Sequence, residues 1–483
     1  MNRREFLKAG LAASAVSIAD WRLFAAEEGL PAYYGEHLAK VAARVGKLAK
    51  ECTDGFWFIT DLHTPANRLM SGPLLTRLVQ TTPIRKVLSG GDLPEAFGGG
   101  GEKDKATVDR TIDVWRNVYV KPIEAAGGTV YAAKGNHDFT VRSSMKEKTG
   151  FTYSGLEAKR ILTEGNERRG VVTNPDDPEA CYYYFDNPRA KLRTIVADTT
   201  DSVTNTRPYW AVICGMHEKQ LKWLDAQAFG TIPTGWAAIV MHHIPVTGVV
   251  GSEEDIKNFA AFRALLNKYH DRVLLDLTGH HHCEMQTFQN GIWHVTNPCD
   301  AAYRDYINRS KPWCPNLPKK DAGTIYEQTF DAVQIDTAKK LIHFTRVGGG
   351  GDRTLHCNPI NLSVRETRKF KTSLSGKIVW GCYDADHVDN KPDPTNKWGK
   401  LAIYHNDVAT ISSDGVLTAL KLGESVVVAL AENGDKELFS AFVGDSAAPR
   451  GSGTNDIVKR YSRGGFVMFD PSVRRLRVRL QVG

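Results

Sequence analysis

The sequence lacks several features that would point to large protein classes. The overall composition excludes a polytopic membrane protein, and the apolar stretch near the N-terminus, Ala9–Ala19, is about half as long as a bilayer-spanning helix. No internal repeat of about 20–50 residues is present, which excludes a solenoid or propeller. The 8 cysteines show no CxxC spacing typical of a zinc knuckle. A composition of 42% hydrophobic and 24% charged residues excludes a disordered or collagen-like chain.

Excess positive charge is also scarce outside one segment. The net charge is +7, but residues 459–483 hold seven basic side chains against one acid, a net +6, so the rest of the chain is nearly balanced. A general polyanion binder would carry basic residues over a broad surface. We therefore expect no specific nucleic-acid partner.

The N-terminus predicts an export signal. Arg3 and Arg4 precede the short apolar stretch, and small residues offer cleavage sites after Ala19 or Ala26. The paired arginines, followed by Glu-Phe-Leu-Lys, resemble the twin-arginine signal, which exports folded proteins. We therefore expect residues 1–26 to be removed, the twin-arginine export machinery to be a partner, and the protein to be periplasmic or otherwise exported from a bacterium.

Disulfides are permitted in such an oxidising compartment. Cys299 and Cys314 flank a polar loop that contains proline, and they are the candidate pair. Most of the other cysteines are expected to be buried thiols.

Apolar runs that alternate with amphipathic helical patterns predict a layered α/β domain between residues 54 and 300. The runs are apolar on both faces, as strands of a covered sheet must be. Helices are predicted over 108–119 and 259–269 from their spacing. A hairpin over 330–336 and 341–346 then closes the domain, and Gly348–Gly351 is interpreted as a hinge or turn. The predicted strands of the α/β part are 56–60, 86–89, 129–133, 194–197, 237–241 and 273–278.

Beyond residue 351 only strand-like segments occur, which predicts a β-sandwich. Residues 408–430 resemble the bacterial immunoglobulin-like repeats of exported proteins, which implies a spacer or a module for surface or self contact; the alternative is a domain that only packs against the α/β domain. Residues 475–480 alternate arginine with apolar residues, as in a hairpin with one solvated face. The predicted organisation is a signal (1–26), an α/β domain (27–356), an immunoglobulin-like β-sandwich (357–450) and a basic β-hairpin (451–483).

Asp, Asn and His residues directly follow five of the predicted strands. Open α/β sheets bind ligands at the carboxyl ends of their strands, and carboxylates with imidazoles suit Zn, Mn or Fe. Residues two apart, as in Asp61-x-His63 and His280-x-His282, point the same way if the chain is extended. Asp92 is the natural carboxylate between two ions. The candidate metal ligands are Asp61, His63, Asp92, Asn136, His242, His280 and His282, whereas His243 is expected to support the ligands or to pack.

These motifs resemble those of the calcineurin-like metallophosphoesterase family over about residues 54–300. The matching motifs are Asp61-x-His63, Gly91-Asp92, Gly135-Asn136-His137-Asp138, His242 and Gly279-His280-x-His282. The resemblance implies a four-layer αββα sandwich, with two sheets face to face and helices outside. It also implies two divalent metal ions (Mn, Fe or Zn). One would be held by Asp61, His63, Asp92 and His282, and the other by Asp92, Asn136, His242 and His280. Glu95 departs from the family pattern, which has Asp or Asn at this position.

The chemistry expected of such a site is hydrolysis of a phosphate ester. A metal-bridging hydroxide would attack phosphorus, and His137 would protonate the leaving oxygen as general acid, with Asp92 the second catalytic residue. A small-molecule or envelope phosphodiester is the favoured substrate. The alternatives are a phosphomonoesterase and a catalytically silent envelope-binding protein.

Substrate contacts are expected from loops, which often carry function. About fifty residues follow Asp138 before the next predicted core strand, among them Tyr182–Tyr184. The candidate substrate-binding residues are Asn136, Arg142, Tyr209 and Arg304.

Overall fold

The computed structural model describes residues 30–64, 70–94, 104–138, 153, 155–201, 215–246, 258–280, 282, 284–300, 321, 323–385 and 406–444, with strand residues 466–467 and 478–479. The predicted signal lies outside these residues. Among the helices of the described residues, none has the length and apolar character that crossing a membrane requires. They are α1 (Tyr33–Leu48), α2 (Ser71–Thr81), α3 (Lys105–Val114), α4 (Lys121–Ala125), α5 (Gly155–Leu162), α6 (Glu218–Trp223) and α7 (Phe259–Lys268), with π-helical turns at Trp115–Val120 and Leu224–Phe229 and a 3-10 turn at Asn166–Arg169.

The larger sheet has 10 strands and contains both early and late parts of the chain. The strands are β1 (Asp54–Ile59), β2 (Lys86–Ser89), β3 (Thr129–Ala132), β11 (Thr329–Asp336), β12 (Leu341–Gly348), β13 (Arg353–His356), β14 (Ile360–Ser363), β16 (Ile378–Asp384), β19 (Gly423–Ala431) and β20 (Lys436–Gly444). Their order across the sheet is β16-β19-β20-β13-β12-β11-β1-β2-β3, and β14 also pairs with β20. Strands β1 to β3 are parallel, whereas β11 and β12 form the predicted antiparallel hairpin beside β1.

The second sheet has seven strands. They are β4 (Val172–Thr173), β5 (Tyr183–Asn187), β6 (Leu192–Val196), β7 (Ala237–Met241), β8 (Val273–Thr278), β9 (Met285–Gln289) and β10 (Ile292–Thr296). Their order across the sheet is β4-β5-β6-β7-β8-β10-β9. Strands β6, β7, β8 and β10 are parallel to one another, whereas β5 is antiparallel to β6 and β9 is antiparallel to β10.

Three apolar cores show that the two sheets pack face to face with helices outside. The central core joins Phe56 and Phe58 of the large sheet to Ile239 and Trp293 of the second sheet. A second core lies between α1–α4 and the opposite face of the large sheet, and a third lies between α6, α7 and the second sheet. Because alternate residues of each buried strand face opposite cores, a strand such as β1 must be apolar on both sides, as its sequence predicts.

The sequence between Asp138 and β6 contains ordered structure instead of the long loop expected from it. Tyr183 begins β5, is fully buried, and donates a hydrogen bond from its hydroxyl to the Ala132 carbonyl at 2.9 Å. Tyr182 is also buried and packs against Trp223. These tyrosines support the fold and do not form a substrate-binding loop.

A small β-sandwich forms the C-terminal part of the described chain. The three-stranded sheet β15-β18-β17, made of Thr367–Lys369, Val416–Ala419 and Ala409–Ile411, packs on β16, β19 and β20 around a separate apolar core. The expected boundary at 356/357 lies between β13 and β14, and both of these strands pair with β20. The large sheet is therefore continuous across the boundary, and Gly348–Gly351 is a turn within it.

The C-terminal tail is described only as a short strand pair. Phe466–Val467 and Val478–Arg479 pair antiparallel, as β21 and β22. The arginine-bearing positions before Val478 lie outside the described residues.

Candidate metal centre

The carboxyl ends of five parallel strands bring polar side chains to one rim. Strands β1, β2 and β3 end in one sheet, and β7 and β8 end in the sheet that faces it. The backbone of the first two loops is tied together, since Asp61 N donates to Gly91 O and His63 N donates to Asp92 O, each at 2.9 Å. Residues far apart in sequence therefore meet above the central core.

The first candidate ligand group consists of Asp61, His63, Asp92 and His282, whose ligand atoms lie within 4.8 Å of one another. The His63 and His282 Nε2 atoms are 3.1 Å apart, and His282 Nε2 is 3.1 Å from Asp61 Oδ1. All four side chains are buried. The four residues that the family resemblance assigns to one metal therefore converge on a single point.

The second candidate group consists of Asp92, His243 and His280. His243 Nε2 is 3.2 Å from Asp92 Oδ2. Asn136 Oδ1 joins the group, at 3.1 Å from His243 Nε2 and 2.8 Å from His280 Nδ1. Asp92 is the member common to both groups, as expected of a bridging carboxylate.

The prediction of His242 as a ligand is wrong in this structure. Its Nε2 is 2.7 Å from Asp276 Oδ1, its Nδ1 is 2.9 Å from Ile244 O, and its ring packs against Phe262. Consecutive residues at the end of β7 point to opposite sides, so only one of the two histidines can face the rim. That residue is His243, which the sequence analysis expected to pack.

The loops reach the rim through left-handed backbone conformations and not through extended chain. Asp61, His63, Asp92, His280 and His282 all have positive φ, between 47° and 67°. Non-glycine residues rarely adopt this conformation, and they concentrate where a site requires it. The condition of an extended chain is therefore not met in Asp61-x-His63 or His280-x-His282, although all four residues belong to the two ligand groups.

Two glycines allow the close approaches that the loops need. Gly91 has φ of +97°, and a Cβ there would lie 2.6 Å from His243 Nδ1. A Cβ on Gly135 would collide with the backbone nitrogen and Oδ1 of Asp92. Any side chain at either position would therefore displace a candidate ligand.

His137 lies at the edge of the site and is tied to the shared carboxylate. Its backbone N–H donates to Asp92 Oδ1 at 2.7 Å, its Nε2 is 3.9 Å from Asp92 Oδ2, and its ring stands edge-on to His63. Its side chain is 19% exposed, whereas that of His63 is fully buried. His137 is thus the histidine of this pair that a bound substrate can reach.

Asp138 supports the turn that carries His137. Its carboxylate accepts hydrogen bonds from the backbone N–H groups of Gly135 and Leu93, each at 2.8 Å. Burial and the nearby Asp92 carboxylate raise the pKa of Asp138 well above its usual range. The side chain thereby holds the β2 and β3 loops together.

Burial disfavours charge on the clustered ligands, and their neighbours offset this effect. Burial opposes ionisation of Asp61, but His282 and His243 outweigh it and hold its pKa below the usual range. The pKa of Asp92 is likewise held well below its usual range by His243 and His137.

The pKa values of the buried histidines are shifted in opposite directions. Burial lowers the pKa of His63 to about 3. For His243, burial is outweighed by Asp92, which raises its pKa to about 9. For His282, burial is outweighed by Cys299 and Asp61, which raise its pKa to about 10. In the protein alone, protonated histidines thus balance the carboxylates.

The donor set fits divalent metal ions. Carboxylate oxygens and imidazole nitrogens converge there, each imidazole nitrogen offering a lone pair once its proton is lost, and the His63 and His282 Nε2 atoms lie 3.1 Å apart. A cation placed there would satisfy those lone pairs and replace the balancing protons. Two cations would share Asp92, and the donor chemistry leaves their identity open among Mn, Fe and Zn.

Thr60 is a supporting residue that the sequence analysis missed. Its hydroxyl donates to Asp61 Oδ2 at 2.7 Å, which orients the carboxylate from behind. Only its position directly before the Asp-x-His motif could have indicated this role.

Several predicted residues lie outside the described part of the chain. These are the candidate substrate contacts Arg142, Tyr209 and Arg304, the departing residue Glu95, and Cys314 of the candidate disulfide. Asn136, the remaining candidate substrate contact, instead hydrogen-bonds with His243 and His280.

Comparison with known proteins identifies the domain. Residues 55–284 match the family model of the calcineurin-like phosphoesterases. A dimetal phosphatase from Danio rerio is 16% identical, with 63% of this chain and 98% of that chain covered and a TM-score of 0.44. The phosphopantetheinyl hydrolase from Mycobacterium tuberculosis is 13% identical, with 52% and 91% covered and a TM-score of 0.29. No curated protein matches the sequence.

Proposed function

We propose that this protein cleaves phosphodiesters. Its residues 55–284 form a calcineurin-like metallophosphoesterase domain, which makes the protein a hydrolase acting on phosphoric ester bonds. The observation that carries the proposal is the convergence of two ligand groups on Asp92 at the rim of the two sheets. Two divalent cations bound there would lower the pKa of a water molecule and neutralise charge on phosphoryl oxygens.

The residues around Asp92 hold this arrangement rigid. Asn136 Oδ1 contacts both His243 and His280, which fixes the orientation of the two rings. His280 N donates to the Asp61 carboxylate at 3.0 Å, so the β8 loop is tied to the β1 loop. The ligands are therefore preorganised, which reduces the reorganisation needed when charge develops on the substrate.

His137 is the residue that we propose as general acid. Its Nε2 would carry the proton to the leaving oxygen, since the ring is partly exposed beside Asp92 while its backbone is anchored to that carboxylate. Asp138 supports this position indirectly, because it binds the turn that carries His137.

The charges around the shared carboxylate support the proposed diester preference. Among the described residues, the groups that act most strongly on Asp61 and Asp92 are histidines and carboxylates, with no lysine or arginine among them. Lys134, the nearby buried base, is paired with Asp198 at 2.9 Å. A phosphodiester carries one negative charge where a monoester carries about two, so it needs less positive charge from the protein.

The test is hydrolysis of bis(p-nitrophenyl) phosphate and of p-nitrophenyl phosphate by protein that has been stripped with chelator and reloaded with Mn²⁺, Fe²⁺ or Zn²⁺. We expect metal-dependent hydrolysis of both with the higher kcat/KM for the diester. The Asp92→Asn variant should be inactive. The control is Asp271→Asn, because Asp271 is exposed and precedes the amino end of β8, the end of the strand away from the metal centre. A higher kcat/KM for the monoester would replace the proposal with a phosphomonoesterase.

We propose in addition that the protein is exported. The Arg3-Arg4 pair and the short apolar stretch support export, as does the resemblance of residues 408–430 to immunoglobulin-like repeats of exported proteins. Cell fractionation of a bacterial host should find the Arg3→Lys/Arg4→Lys variant retained in the cytoplasm at full length. Lys8→Arg is the control, and processed double variant in the periplasm would refute the proposal.

A further inference from the structure

A buried row of charged residues crosses the large sheet from β20 to β11, the neighbour of β1. Asp331 on β11 pairs with Phe58 of β1 on one side and with Arg346 of β12 on the other. Arg353 on β13 pairs in turn with Lys436 on β20. Cross-strand neighbours on one face of a sheet can interact directly, so this row connects the C-terminal strands with the strand that leads to Asp61.

Glu284 is the residue on which these cations meet. Lys436 Nζ lies 2.8 Å from Glu284 Oε1, and Arg346 and Arg353 lie 2.5 and 2.6 Å from Glu284 Oε2. Both arginines also contact Asp331, at 2.8 and 2.6 Å. Every one of these side chains is buried.

The network touches the backbone of the metal centre at two places. Glu284 lies two residues after His282, a ligand of the first group. Asp331 Oδ2 accepts a hydrogen bond from Asn297 Nδ2 at 2.7 Å, and Asn297 N donates to Thr278 O at 3.0 Å. Thr278 ends β8 directly before Gly279 and His280. The charged row is therefore anchored to both ends of the β8 loop that supplies His280 and His282.

Packing alone does not account for such a network. Three buried cations meet two buried carboxylates, and desolvating charges costs more than burying apolar side chains of similar size. Its geometry gives something that apolar residues would not: directional contacts that fix the position of Glu284 and Asn297.

We propose that Lys436 and Arg353 are positioning residues of the metal centre. They hold Glu284, and through it the β8 loop, in the conformation that directs His282 and His280 at the metal ions. Both residues lie outside the matched range 55–284, so the C-terminal strands supply a support that the phosphoesterase domain of this chain requires. The inference rests on the proposed metal site.

The test compares Lys436→Met with Lys421→Met. Methionine keeps the length and apolar stem of lysine but removes its charge. Lys421 lies in the same C-terminal region and pairs with Asp407 at the surface, with half of its side chain exposed. Binding of Mn²⁺ and Co²⁺ to chelator-stripped protein is measured by calorimetry at 25 °C, with the Co²⁺ absorption spectrum as a report of ligand geometry.

We expect Lys436→Met to weaken binding at one of the two metal sites by about 10- to 100-fold, the range found when a partner that orients a ligand is lost. Its Co²⁺ spectrum should change, and Lys436→Arg should restore both properties. Lys421→Met should resemble the unmodified protein. A folded Lys436→Met protein with a lower Tm but unchanged metal affinity and spectrum would overturn the proposal, because the network would then only stabilise the fold.

Glu284→Gln provides the same comparison if Lys436→Met does not fold, since glutamine keeps the shape and loses the charge. Hydrolysis is assayed separately on the unmodified protein. Metal binding without hydrolysis would count against the proposed function alone, and unaltered metal binding in both Lys436→Met and Glu284→Gln would count against this inference alone.

Discussion

At the scale of single residues, the site was predictable where residue type and strand position together decide the outcome. Asp61, Asp92, Asn136, His280 and His282 each follow a buried strand, and parallel strand ends must meet at one edge. His242 was predicted as the ligand, whereas His243 lies in the ligand group, because the sequence does not show which of two adjacent side chains faces the rim. The partner of His242, Asp276, is interior to β8 and reads as an ordinary strand residue.

Substitution of the two adjacent histidines should separate their roles. His243→Ala removes a side chain 3.2 Å from Asp92 and should leave one bound metal in place of two, with hydrolysis lost. His242→Ala leaves the buried Asp276 carboxylate without one of its partners. We expect it to retain both metals and to lower the free energy of unfolding by about 3–5 kcal/mol. The number of bound metal ions and the free energy of unfolding in urea are measured for both variants. Loss of a metal ion in His242→Ala with both ions retained in His243→Ala would contradict the structure.

His137→Ala tests the general acid. The variant should bind metal normally, because His137 belongs to neither ligand group. It should hydrolyse an alkyl p-nitrophenyl diester, whose leaving group needs little protonation, far better than a dialkyl ester. For the dialkyl ester we expect a loss of about 10²- to 10⁴-fold in kcat. His270→Ala is the control, since His270 lies just before the amino end of β8, the end of the strand away from the metal centre. Equal losses on both substrates would assign His137 another role.

At the scale of elements, strands with continuous apolar sequence were predictable and strands with buried polar residues were not. Strands β1, β2, β7 and β8 match their apolar runs to within two residues. Strand β20 went unrecognised because it contains Lys436, Glu437 and Ser440, although all of its residues are buried. Those polar side chains are matched by partners distant in sequence, such as Glu284 and His356, and a single sequence does not reveal such pairings.

Glu437 on β20 should make stability depend on pH below neutrality. Its carboxylate is partly desolvated, but His356, Thr372 and Ser373 outweigh this and lower its pKa to about 2, below the ordinary 4.5. A depressed folded-state pKa stabilises the protein above about pH 4.5, and that stability is lost as the pH falls toward 2. Glu437→Gln should therefore lower the Tm at pH 7, and the difference from the unmodified protein should shrink between pH 4.5 and 2.

The exposed Glu432, on the turn before β20, provides the matched control. Glu432→Gln should leave the Tm unchanged at every pH in this range. A Tm difference for Glu437→Gln that stays constant with pH would show that its charge is not what stabilises β20.

At the scale of the whole molecule, the layered α/β part was predictable but its union with the C-terminal strands was not. Sequence composition changes near residue 351, which favours a boundary there, yet β13, β14 and β20 extend the same sheet. Cross-strand pairing such as that of Arg353 with Lys436 joins positions far apart in sequence, and no local sequence pattern predicts it.

The continuous sheet predicts one cooperative unfolding transition for the described chain. The central core contains side chains from both regions, for example Phe56 and Leu88 with Val426 and Phe442. Unfolding of the C-terminal strands would expose that core, so both regions should lose structure together. Calorimetry should give a calorimetric enthalpy equal to the van't Hoff enthalpy. Two separate transitions would show that the C-terminal strands fold independently.

The metal content of the purified protein and of Asp92→Asn tests the central claim most directly, because Asp92 is the one carboxylate that belongs to both candidate ligand groups. Elemental analysis after loading with Mn²⁺ or Zn²⁺ and removal of excess metal should find two ions per chain in the unmodified protein and a loss of both in Asp92→Asn. Unmodified protein that retains no metal, or an Asp92→Asn variant that retains two ions, would contradict the account.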